Sequence, residues 1–82
     1  MDTRVAVIAI IVEDKGTVEK INDILHHYAD YIIGRMGLPY RQKNLNIISV
    51  VVDAPQEITS ALSGKIGRLE GVSAKTAYAG IK

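Results

Sequence analysis

Arg4–Glu13 reads RVAVIAIIVE and Leu45–Asp53 reads LNIISVVVD, and these two stretches decide the fold. Both are apolar runs rich in Val and Ile. β-Branched side chains pack well on a pleated surface and lose rotamer freedom in a helix, so both runs read as strands. A run that is apolar on successive residues, rather than alternate ones, belongs where both strand faces are covered, in the middle of a sheet. The apolar stretch Val5–Val12 is far shorter than the ~20 residues of a membrane span. Glu13–Asp14–Lys15 follows it where the small residues of a signal cleavage site would stand, so it reads as a strand and not as a signal core.

Outward from the first run, Asp14–Lys15–Gly16 is a short turn and Thr17 is a good helix N-cap. Val18, Ile21, Leu25, Tyr28 and Ile32 recur at spacings of three and four, with Ile24 alongside. This predicts an amphipathic helix over about 17–30. Ile32–Met36 is short and apolar with Gly34 inside, a second, weaker strand. Gly37–Lys43 (GLPYRQK) reads as a loop by its Gly and Pro content. Beyond the second run, Pro55 suits the first turn of a helix, where its missing N–H has no intrahelical partner to lose. Ile58, Ala61, Leu62, Ile66 and Leu69 give that helix its apolar face, and Gly67 or Gly71 stops it. Val72, Ala74, Thr76 and Tyr78 then alternate against Ser73, Lys75 and Ala77, the pattern of an edge strand.

The order is β-α-β-β-α-β, and the expected fold class is α+β: a ferredoxin-like sandwich with a four-stranded antiparallel sheet. Its first and third strands, here the two strongest, lie in the middle, and right-handed crossovers put both helices on one face. The other face would show part of Val5–Val12 and Ile47–Val52. An apolar surface of that kind is rarely left in water, so a homodimer or homotetramer packed through sheet faces or edges is expected.

Eighty-two residues make one domain, 1–82. With 48% hydrophobic and 23% charged residues the chain is neither disordered nor collagen-like. Ten Lys and Arg against nine Asp and Glu give a net charge of +1, too even for a histone-like protein or an acidic tail. Cysteine is absent, which excludes disulfides, thiolate metal sites and Cys nucleophiles in this chain. A core below ~80 residues is marginal, so self-association is a natural way to bury more of the aliphatic surface. The expectation is a soluble, cytoplasmic protein with no membrane partner.

Few residues suggest chemistry. His26–His27 is the only histidine pair, and neighbouring helical residues point about 100° apart. The two rings therefore do not converge on one ion within a chain, and no metal or cofactor is expected; a third reading, a metal-dependent oligomer through His26 and His27, would need ligands from another subunit. Glu13, Asp14 and Asp53 at strand ends read first as turn and cap residues, although such carboxylates can hold an amine or a cation. No Ser–His–Asp spacing, paired acid and base or cofactor fingerprint is present, so no enzyme is expected. Gly64–Lys65 lacks the earlier glycine and following Ser or Thr of a P-loop. Gly64–Lys65–Ile66–Gly67 fits the GXXG pattern with which KH domains clamp nucleic-acid backbone. It falls inside or at the end of a helix here, and the favoured reading is a thin helix end packed closely on the sheet. Arg35, Arg41 and Lys43 surround Gly34–Lys43 together with Tyr40. A flexible basic loop of this kind could hold a carboxylate or a phosphate, or its arginines could pair with nearby carboxylates. Tyr28, on the helical stripe, reads as core.

With GRMGLPYR at 34–41, ALSGKIGRLEGVSAK at 61–75, VED at 12–14, Asn22–His26 and NIISVVV at 46–52, nearly the whole chain resembles the small regulators of the iron-only hydrogenase system. That family looks like ACT domains and like the C-terminal sensor domain of nickel-responsive repressors. The resemblance implies an ACT-like version of the fold read above, oligomers built through the sheets, and a role in transcriptional regulation. Nickel sensing is not carried over, since those repressors use a Cys and several His. Their N-terminal DNA-binding arm is not expected either, with a strand starting at about residue 4, so direct promoter binding is doubtful. ACT-like domains bind small effectors at subunit interfaces, commonly at the loop after the first strand. In this chain that loop is Glu13, Asp14, Lys15 and Gly16. The stretch most characteristic of the family adds Arg35, Tyr40 and Arg41. The expectation is a non-enzymatic, homo-oligomeric regulatory domain that binds a small effector or a partner protein at a subunit boundary. The alternative is a nucleic-acid binder acting through Arg35, Arg41, Lys43, Lys65 and Arg68 and the Gly64–Gly67 segment.

Overall fold

The two β-branched runs lie side by side. In the computed structural model, which describes residues 2–80, β1 (Arg4–Val12) pairs antiparallel with β3 (Leu45–Ala54), from Arg4 opposite Ala54 to Val12 opposite Asn46. β2 (Ile32–Tyr40) flanks β3 and β4 (Val72–Tyr78) flanks β1, both antiparallel, so the sheet order is β2-β3-β1-β4. α1 (Val18–His27) and α2 (Gln56–Gly67) complete the β-α-β-β-α-β order of a ferredoxin-like fold.

Strand alternation divides the sheet into two faces. Ala6, Ile8, Ile10 and Val12 of β1 and Ile48, Val50 and Val52 of β3 are buried. They form one cluster with Ile21 and Leu25 of α1 and Leu62 and Ile66 of α2, so both helices cover the same face. Each buried aliphatic side chain of this kind contributes about 1.5–3 kcal/mol against the entropy of ordering the chain. The intervening residues Val5, Val7, Ile11 and Ile47 face the other way and stay 36–42% exposed. Among the described residues no helix is long and apolar enough to cross a membrane.

Three boundaries differ from the sequence reading. α1 stops at His27, and Ala29–Tyr31 forms a 3-10 turn before β2. The apolar stripe runs on to Tyr28 and Ile32 because both still pack on the core, Ile32 from a strand. The second strand does not end near Met36 but continues to Tyr40, so the expected loop over Gly37–Lys43 shrinks to the hairpin turn Arg41–Asn44. Asn44 closes that turn at φ 60°, a left-handed conformation that Asn tolerates. Glycine and proline are weak strand formers, but pairing with β3 overrides their preference, and Pro39 is acceptable on an edge strand. Of the two stops considered for the second helix, Gly67 ends it, and Gly71 sits in the turn that follows.

Candidate functional site

The turn after β1 is held together by its own polar groups. Asp14 Oδ1 accepts the Gly16 N–H at 2.9 Å, and the Asp14 carbonyl accepts the Thr17 N–H at 3.0 Å and the Thr17 hydroxyl. Asp14 thereby caps the 3-10 turn Lys15–Thr17. Thr17 is buried there and makes no side-chain cap bond to α1. From the other side, Glu13 N–H donates to the Gly71 carbonyl at 2.7 Å, and Gly71 packs against the Asp14 backbone. Glu13, Asp14, Lys15 and Gly16 stay exposed at one end of the sheet.

β2 distributes the other candidates over two faces. Its register shifts by one residue between Ile32, opposite Val52, and Gly34, opposite Val51, so Ile33 bulges. Beyond the bulge Arg35 stands opposite Val50 and Gly37 opposite Ile48, both buried, which puts Arg35 and Gly37 on the helix side. Met36, Leu38 and Tyr40 fall on the open face, at 70%, 59% and 41% exposure. Arg35 and Tyr40 are therefore about 17 Å apart along the strand and point to opposite faces. Tyr40 and Arg41 share a sheet end with Glu13–Gly16, with β3 between them and a lateral separation of about 10 Å. Arg41 and Lys43 lie together on the hairpin turn. The basic segment read from the sequence as one loop is thus a strand plus a turn.

Arg35 belongs to a different neighbourhood. Its Nη2 donates to Asn22 Oδ1 of α1 at 2.6 Å. A groove of about 300 Å³ opens beside this bond, walled by Leu25, His26, Ala29 and Ile32. A second hollow of about 230 Å³ lies across the same bond, along Val18, Gly37, Pro39 and Ile48. Asn22 was not singled out as a site residue from the sequence. Its signal was there, since Asn22 and His26 are four apart and stack on one side of α1, flanking the apolar stripe.

His26 and His27 are exposed, with ring centroids 6.4 Å apart and planes at 82°. His27 Nδ1 lies 2.9 Å from the Asp23 carbonyl, while His26 lines the groove beside Arg35. Among the described residues no three His, Asp or Glu come together as a metal site. Gly64–Gly67 is the last turn of α2, not a loop between helices. A Cβ on Gly67 would come 3.8 Å from Ala74 Cβ, which is the close approach of helix end to strand read from the sequence. Lys65 is drawn over the half-buried Tyr28 ring at 5.3 Å, and Arg68 caps the helix C-terminus. A larger hollow of about 670 Å³ lies near Thr3, Val5, Gln56 and Gly80. Its Arg4 is already committed to Ala79 O and Gln56 Oε1, each at 3.2 Å, and to the Tyr78 ring.

The model of the TM1266-like family, described as "Iron-only hydrogenase system regulator, putative", matches residues 4–76. The solved structure of the uncharacterized protein TM1266 from Thermotoga maritima superimposes with a TM-score of 0.91 at 31% identity, covering 96% of this chain and 100% of that one. No curated protein matches the chain.

Proposed function

The chain belongs to the TM1266-like family of iron-only hydrogenase system regulators, and on that premise we propose that it is a non-enzymatic, homo-oligomeric, ACT-like regulatory domain. It binds a small effector or a partner protein at a subunit boundary and acts in the cytoplasm on the hydrogenase system, including its transcription. The observation that carries the reading is the open face of the sheet. Val5, Val7, Ile11, Met36, Leu38, Tyr40 and Ile47 are all at least 36% exposed on it. The buried face, by contrast, is covered by both helices. Water is a poor partner for so much aliphatic surface, and a second copy offers a matching one. Gly34 lies on the same face with open space around it, which lets another backbone approach. Tyr40, Arg41 and the Glu13–Gly16 turn sit at the rim of this face, where a bound copy would place the boundary.

Sedimentation equilibrium tests the reading directly. The wild-type chain is expected to sediment as a dimer or larger, and Ile11→Lys, which puts a charge on the open face, as a monomer with unchanged far-UV circular dichroism. A wild-type chain that sediments as a lone subunit at micromolar concentration removes the subunit boundary and the proposal with it. Thermal-shift screening against amino acids, nucleotides and metal ions tests the effector, and a blank screen leaves the partner-protein form.

A further inference from the structure

We propose that the groove between α1 and β2 is a binding site for a small carboxylate ligand with an apolar body, anchored by Arg35 and Asn22. The inference deepens the regulatory reading and rests on it only for the ligand's role as an effector.

The polar end of the site is built from both elements. The bulge at Ile33 turns Arg35 toward α1, and Asn22 Oδ1 holds its guanidinium from there at 2.6 Å. A guanidinium has five N–H donors, and this bond to a neutral amide oxygen uses one of them. The Asn22 amide nitrogen adds a further donor at the same place. Arg35 is exposed, so its remaining donors can be reached from solvent. A planar fork of donors matches a carboxylate in two-point contact. With one cation at this point, and Arg41 and Lys43 away on the hairpin turn, a singly charged carboxylate suits the site better than a phosphate dianion.

The rest of the site is largely apolar, with His26 and Asn46 the further polar residues in its walls. Leu25, Ala29 and Ile32 line it on one side of the Arg35–Asn22 bond, and Val18, Pro39 and Ile48 on the other. Gly37 supplies the second, independent observation. It is placed inside a strand, where glycine weakens pairing and packs nothing, yet its φ is not in the left-handed region. A Cβ there would meet nothing within 4 Å. Neither backbone geometry nor crowding calls for glycine at this position. A side chain would project from the helix side of β2 into the hollow beside Arg35 and take up part of it. Glycine keeps that space open, as expected where a ligand lies against the strand.

The test is a proton–nitrogen NMR titration of the full chain with sodium 3-methylbutanoate, with the isosteric neutral 3-methylbutanamide as control. The carboxylate is expected to shift the Arg35 Nε–H and Asn22 side-chain amide signals, and the amide to leave them in place. Arg35→Gln and Gly37→Val should each raise the carboxylate Kd by about tenfold or more. Gly37→Val should do so without lowering the thermal midpoint, which separates a filled groove from a damaged fold. Equal response to acid and amide, unmoved Arg35 and Asn22 signals, or a wild-type Kd in either variant overturns the proposal. Sedimentation of the same samples keeps the two readings apart: a lone subunit that binds the acid overturns the oligomeric regulator and not this site, and an oligomer that does not bind overturns this site alone.

Discussion

Replacing Gly71 by alanine should destabilise the protein more than any other single methyl addition at its glycines. Gly71 has φ +73°, a left-handed conformation that costs an ordinary L-residue about 1–2 kcal/mol. The new Cβ would also stand 2.9 Å from Asp14 Cβ and 3.3 Å from Asp14 N, well inside the ~3.5–4.0 Å at which such atoms attract. The obstacle includes main chain, so no rotamer change relieves it. Moving the turn strains the 2.7 Å bond from Glu13 N–H to Gly71 O, worth about 0.5–1.5 kcal/mol. Together these come to about 2–4 kcal/mol, a large share of the roughly 4–12 kcal/mol expected for a domain of this length. The melting midpoint should fall by roughly 8–30 °C. Urea denaturation followed by circular dichroism, at one protein concentration, measures the free-energy loss, and a thermal scan of the same samples measures the midpoint. Gly37→Ala is the control, since that position has open space and no left-handed φ and should not lose stability. Gly71→Asn should fall between, because Asn tolerates the backbone conformation but keeps the Cβ contact. A Gly71→Ala protein within about 0.5 kcal/mol of wild type would refute the reasoning, as that is the scatter of an ordinary surface substitution.

Thr59 is 1% exposed, and its hydroxyl has no hydrogen-bond partner among the described residues, so Thr59→Val should stabilise the chain by about 1 kcal/mol in thermal melting. Asp14→Ala removes the acceptor of the Gly16 N–H and should cost about 1 kcal/mol in urea, with Asp14→Asn retaining most of it. Ile10, fully buried in the central strand, should cost about 2–5 kcal/mol as Ile10→Ala and about 0.5–1.5 kcal/mol as Ile10→Val, read from the same urea transitions.

The parts of the fold that were legible in the sequence are those where local pattern and tertiary burial agree. β1 and β3 announce themselves through Val and Ile on successive residues, and both are central strands. β4 alternates as a one-sided edge strand should, with Lys75 outward and Ala74 packed on the core. The GXXG segment lies at a helix end, as its apolar spacing predicts. Illegible parts lie where a partner overrides local preference. Gly37 and Pro39 argue for a loop on their own, and only the ladder from β3 makes them strand. The Tyr28–Ile32 stripe argues for more helix, because a core does not record whether helix or strand fills it.

The chain's apolar periodicity was enough to determine the order of elements, the two central strands and the sheet face left without cover, because burial acts on each residue's hydrophobicity at its own spacing. The placement of the candidate site was decided only by tertiary structure. Regular alternation would put Ile32 on the same face as Gly34 and Tyr40, away from Arg35. The one-residue bulge at Ile33 reverses that phase and brings Arg35 to the side of Ile32, under Asn22. The bulge is one extra residue of β2 set against β3, and nothing in the Ile32–Gly34 sequence marks it, so the meeting of Arg35 and Asn22 is written in the packing and not in the string.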